Sequence, residues 1–108
     1  LLAARAAEHN LKAARDRITA EAALAVTNES AASRRVTLAE RTEAVAGKAH
    51  AAERARFELG GSLPIQVQQA EDELRRAKLR VARARVDLVQ EQTIVLHLAG
   101  RLLAEYRV

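Results

Sequence analysis

Phe57-Glu58-Leu59-Gly60-Gly61-Ser62-Leu63-Pro64-Ile65-Gln66-Val67 holds two adjacent glycines and the only proline of a 108-residue chain. On either side the sequence reads as long, unbroken helix. A Gly-Gly pair can supply the left-handed backbone that ends one helix, and proline is tolerated in the first turn of the next. Either Ser62 or Leu63 occupies the N-cap, and Ser62 is the chemically better cap. The chain is therefore expected to be one antiparallel hairpin. An outgoing helix covers 1–59, a tight tip 60–63, a return helix 64–103 and a short tail 104–108.

Composition bounds the fold class. About half of the residues count as hydrophobic, yet roughly a quarter of the chain is alanine, with one Phe, one Tyr and no Trp, Met or Cys. Two thin helices with so few large apolar side chains cannot enclose a globular core. An all-α, long coiled-coil hairpin that leaves apolar surface for further helices is the expected fold. No run approaches the 18 apolar residues of a membrane-spanning helix; the stretch from Thr93 to Leu96 stops at His97. No signal-peptide pattern opens the chain, which reads as a piece of a longer protein. The net charge of +4 is spread over interleaved signs. Glu71/Arg75 and Asp72/Arg76 stand at i,i+4 with the acid first, as on a solvated helix face.

The return helix carries the sharper pattern. Val67, Ala70, Leu74, Ala77, Val81, Ala84, Leu88, Glu91, Val95, Leu98 and Leu102 alternate at spacings of three and four, and Glu91 alone breaks the apolar rule. The regular alanines predict close helix packing. A second seam, Leu79, Ala82, Val86, Val89, Thr93, Leu96, Gly100 and Leu103, lies about 150° around the helix from the first. A helix with two nearly opposite seams touches a neighbour on each flank, as a stave in a wall or a member of a multi-helix bundle does.

The outgoing helix is less definite. Ala4, Leu11, Ile18, Ala25 and Ala32 recur every seven residues in its first part. From the middle onward Leu24, Ala31, Leu38, Val45, Ala52 and Leu59 form a second series. Thr27, Asn28, Ser30, Ser33, Thr37 and Thr42 dilute the middle. Gly47 costs about 1 kcal/mol against alanine inside a helix, and either permits a close backbone approach or is a tolerated imperfection.

Phe57-x-x-Gly60, Leu63, Val67, Ala70, Leu74, Ala77, Ala84-Arg85, Gln92 and Leu98-Ala99-Gly100 together resemble the second half of the TolC-type outer membrane efflux proteins. The likeness runs without a gap from about Phe57 to Leu102. It implies a fragment of a trimeric α-barrel in the periplasm, joined to an outer-membrane β-barrel in a Gram-negative bacterium. It also implies that the tip, Gly60, Gly61, Ser62, Leu63, Pro64 and Ile65, docks on the hairpin of a periplasmic adaptor. An inner-membrane transporter takes part indirectly.

Entrance-lining positions fall on Gln66 and Gln69, where some members of that family carry acidic residues, so an acidic ring is not expected here. Phe57 has no hydroxyl for a gating hydrogen bond. Helix-packing residues on this reading are Val67, Leu74, Val81 and Leu88 on one seam, and Leu79 and Val86 on the other. The alternative is the coiled-coil hairpin of the adaptor itself. Arg56, Leu59 and Ser62 echo the Arg, Leu and Ser of adaptor tips at compressed spacing.

No reaction chemistry is legible. His9, His50 and His97 are far apart, and no cysteine or HExxH arrangement offers a metal site. Ser62 lacks a nucleophile-elbow context, and Gly60-Gly61-Ser62 lacks the lysine of a phosphate loop. A thin hairpin provides no cleft for a carboxylate pair. Stacking aromatics are missing among the arginines, so nucleic acid is not an expected partner. A non-enzyme without cofactor is expected.

Overall fold

The computed structural model describes residues 1–106. Two helices account for nearly all of them, α1 over Leu2–Glu58 and α2 over Pro64–Tyr106. The chain is an all-α coiled-coil hairpin. The return helix runs three residues beyond the expected 103, so Ala104 to Tyr106 are helix and not tail; the rest of that tail, 107–108, lies outside the described residues. Tyr106 gives the added turn a tertiary hold, because the Arg15 guanidinium stacks 5.0 Å from its ring centre. Arg15 also donates to the Glu105 carbonyl at 3.4 Å.

Two compact units can be distinguished. The tip unit is Ala32–Leu88. Here Ala32, Ala46, Ala77 and Val81 are buried, and Val36, Ala39, Glu43 and His50 face the same seam half-buried. On α2 the half-buried partners are Val67, Ala70, Leu74, Ala84 and Leu88. The terminal unit is Leu1–Ala31 with the chain from Val89 onward. Its buried residues are Ile18, Ala25 and Leu98, flanked by half-buried Ala22, Glu29, Glu91, Val95 and Leu102.

Small residues of α1 therefore meet larger residues of α2. The α1 seam is Ala25, Ala32, Ala39 and Ala46, and the α2 seam supplies Leu74, Val81, Leu88 and Val95. Alanine on one side lets two helices approach toward the short end of the 8–10 Å range of axial separations. The seam of α1 belongs to the series that begins at Ile18 throughout. The second series stays off the contact with α2, and its Leu24, Leu38, Val45 and Leu59 are exposed. A leucine at the contact would force the axes apart, so Leu24, Leu38 and Val45 turn away from α2. Ile18 and Val36 are the large residues α1 keeps in the seam.

Thr27 and Thr37 are exposed and do not dilute the seam either. Thr27, Thr37 and Thr42 return their hydroxyl protons to the carbonyls of Ala23, Ser33 and Leu38, one turn back on their own helix. The half-buried polar residues along the seam are Glu29, Thr42, Glu43, His50 and Glu91, among others. Gly47 is an imperfection rather than a contact point: an added Cβ would meet Leu74 Cδ1 at 3.9 Å, an ordinary van der Waals distance.

Candidate interaction surfaces

The tip is shaped by backbone. Gly60 has φ +80°, where a side chain is strained. Its N–H donates to the Phe57 carbonyl at 3.0 Å, and the Gly61 N–H donates to the Arg56 carbonyl at 2.8 Å. These two bonds form a Schellman motif, satisfying carbonyls that the end of α1 leaves without helical partners.

The start of α2 decides between the two cap candidates. The Leu63 carbonyl accepts from the Gln66 N–H at 3.0 Å, which makes Leu63, and not Ser62, the N-cap ahead of Pro64. Leucine has no side-chain oxygen to offer. Instead the Gln66 side-chain oxygen reaches back to accept from the Leu63 N–H at 2.9 Å, the N3 half of a capping box. The Ser62 hydroxyl is used elsewhere, donating to the Glu53 carboxylate of α1, with Gln66 Oε1 3.2 Å away. Arg56 donates to the same Glu53 carboxylate at 3.2 Å. Two of the three residues behind the adaptor-like reading are thus engaged inside the turn.

Around this frame stands a crown of apolar side chains. Leu59 is 89% exposed, and Phe57, Leu63 and Ile65 are also open to solvent. The sequence reading placed Leu63 and Ile65 in a docking tip but did not count Phe57 and Leu59 as contact residues. Their signal was present: large apolar residues immediately before a glycine pair have no helix interior left to face. Gln69 is exposed one turn beyond Gln66.

The two seams of α2 have opposite fates in the single chain. Val67, Leu74, Val81 and Leu88 lie against α1, with Val81 3% exposed. Leu79 is 52% exposed and Val86 56%, and farther along the same edge Val89, Leu96 and Leu103 are open too. Exposed apolar stripes of this kind mark association surfaces. Charges beside the covered seam pair across it. In the tip unit Arg85 lies 3.3 Å from Glu40, and His50 Nε2 lies 3.6 Å from Glu71. In the terminal unit Arg101 lies 3.8 Å from Glu21. These pairs are solvent-exposed apart from the His50 ring, so each sets register more than it adds stability.

The terminal unit also carries a groove of about 560 Å³ whose apolar lining is Leu24, Ala25, Ile94 and Leu98, with Glu21, Glu91 and His97 beside it. Among the described residues no cluster of three His, Cys, Asp or Glu side chains could hold a metal ion. No helix among them is long and apolar enough to cross a membrane.

Fold and surface together define a helical hairpin closed along one seam and open along another. Comparison with known protein families, curated proteins and solved structures gave no match to this chain.

Proposed function

We propose that the chain is the periplasmic hairpin of an outer-membrane efflux or secretion duct, forming part of the conduit wall and docking a periplasmic adaptor through its tip. The observation that carries this reading is the open second edge of α2, where Leu79, Val86, Val89, Leu96 and Leu103 repeat at helical spacing with nothing over them. A two-edged helix is what a closed wall of helices requires of each member. In the parent protein that edge meets a helix of a different hairpin, so that the wall closes as a homotrimeric barrel.

The exposed crown of Phe57, Leu59, Leu63 and Ile65 supports the docking role of the tip. Aliphatic side chains on a rigid turn suit a partner hairpin presenting an apolar groove. Energy for export comes on this reading from an inner-membrane transporter, and the hairpin itself performs no chemistry.

Photocrosslinkers placed singly at Leu59, Leu63 and Ile65 of the parent protein test the assignment in cells. Adducts with an adaptor hairpin are expected, together with adducts from Leu79 and Val86 to a helix of a different hairpin in the same assembly. Tip positions that crosslink to nothing periplasmic, or a parent protein that fractionates away from the outer membrane, would overturn it.

A further inference from the structure

The open edge of α2 is framed by positive charge within the tip unit. Arg76 and Arg83 flank Leu79, Ala82 and Val86 on one side of the helix, and Lys78 and Arg85 flank them on the other. No acidic residue interrupts α2 between Glu73 and Asp87. Arg76 lies 3.9 Å from Glu73, and Arg85 is held by Glu40. Lys78 and Arg83 have no carboxylate within ion-pairing distance among the described residues. A hollow of about 300 Å³, lined by Ala82, Arg83, Val86 and Asp87, lies on this edge.

The imbalance is regional. Residues Ala32–Leu88 hold 12 Lys+Arg against 8 Asp+Glu, which is the whole net charge of +4; the rest of the chain holds 6 of each. The outward stripe of α1 in the same unit is framed alike, with Arg34, Arg35, Arg41 and Lys48 around the exposed Leu38 and Val45. A second copy approaching the α2 edge with either of its own stripes would set cations against cations. Like charges in register beside a helical contact oppose pairing, and opposite charges select partners.

We infer that the α2 edge of the tip unit docks an amphipathic helix whose own apolar stripe is flanked by carboxylates, and not another copy of this hairpin. The inference rests on the reading that this edge takes a further helix and names that helix's chemistry; it does not require the duct. Three-and-four spacing of Leu79, Ala82 and Val86 fits the ridges of another helix. An anionic membrane surface is the weaker match, because neither aromatic residue of the chain lies on this edge to anchor in an interface.

The test titrates the 108-residue chain with three synthetic four-heptad peptides. They share one Leu/Val stripe and carry Glu, Gln or Lys at every flanking position. Vesicles of phosphatidylserine and phosphatidylcholine form a fourth arm. The Glu peptide is expected to bind about tenfold more tightly than the Gln peptide, with the Lys peptide weakest and the preference shrinking as salt rises. The double variant Lys78→Glu/Arg83→Glu, at exposed positions that leave the covered seam intact, is expected to reverse the order. Val86→Asn is expected to weaken binding of all three peptides.

Equal affinity for the Glu and Lys peptides would overturn the charge inference while leaving the two-edged reading in place. Binding of none of them would overturn both. An unchanged Glu-peptide affinity in Val86→Asn would reduce the effect to ion attraction without docking. Capture by vesicles with no peptide binding would reassign the edge to a lipid surface.

Discussion

Val81 and Val86 are the same side chain, on the same helix, in stripes with the same spacing. Val81 sits beneath α1, and Val86 stands in solvent. The contrast shows what covers a stripe and what merely defines one. A covered stripe needs a partner of complementary size, and α1 supplies alanines where α2 supplies leucine and valine. The second stripe has no such partner among the described residues, so its apolar area stays open to solvent.

The contrast is most sharply broken by placing a charge on each stripe. Val81→Asp is expected to cost about 3 kcal/mol, because a carboxylate is left buried and unpaired. Thermal melting by circular dichroism should fall by many degrees or lose its cooperativity. Val86→Asp should leave the melting of the single chain within about 0.5 kcal/mol of the original and abolish assembly of the parent protein. Equal effects of the two changes on the isolated chain would erase the distinction between the stripes.

Added volume gives the next largest effect. Ala77 is 0% exposed, so Ala77→Leu is expected to destabilise by about 1–3 kcal/mol through overpacking. Ala82→Leu, on the open edge, should change stability by less than about 0.5 kcal/mol. Denaturant midpoints measured side by side decide the matter.

The glycines sharpen the comparison further. Gly60→Ala places a side chain at φ +80° and is expected to cost about 1–2 kcal/mol. Gly47→Ala should do the opposite and stabilise by about 1 kcal/mol, since the new Cβ meets Leu74 at an ordinary distance. Gly100→Ala, with nothing within 4 Å of its new Cβ, should stabilise the isolated chain similarly. Poorer assembly of the parent protein carrying Gly100→Ala would show a helix passing close over the open edge. The smallest effect belongs to Glu40→Gln, within about 0.5 kcal/mol, because its ion pair with Arg85 is exposed.

Much of this hairpin was legible in the residues. Gly60-Gly61 and Pro64 located the turn, and the alternation from Val67 to Leu102 located the covered seam of α2. The seam of α1 was harder to read, and the reason is physical. Closely packed helices want small residues at the contact, and alanine is also the commonest residue everywhere else on α1. Ala39 and Ala46 therefore carried no contrast, while Leu24, Leu38 and Val45 drew attention to a stripe that points outward. Of the two cap candidates the chemically better one is not used: Ser62 has the right hydroxyl, but Glu53 on α1 is a charged acceptor and takes its hydrogen bond. Gln66, read as lining an entrance, also completes the first turn of its own helix. What the open stripe holds in the parent assembly could not be read, because periodicity records that an edge is apolar and not what lies on it.

The turn has one more consequence. Its course is set by main-chain bonds at Gly60 and Gly61 and by a single glutamine amide at Gln66, none of which involves the side chains of Leu59, Leu63 or Ile65. Those three positions can be exchanged among aliphatic residues without disturbing the bend that displays them. A lineage could thus retune whom this end of the molecule recognises by point changes, while the scaffold underneath is inherited untouched.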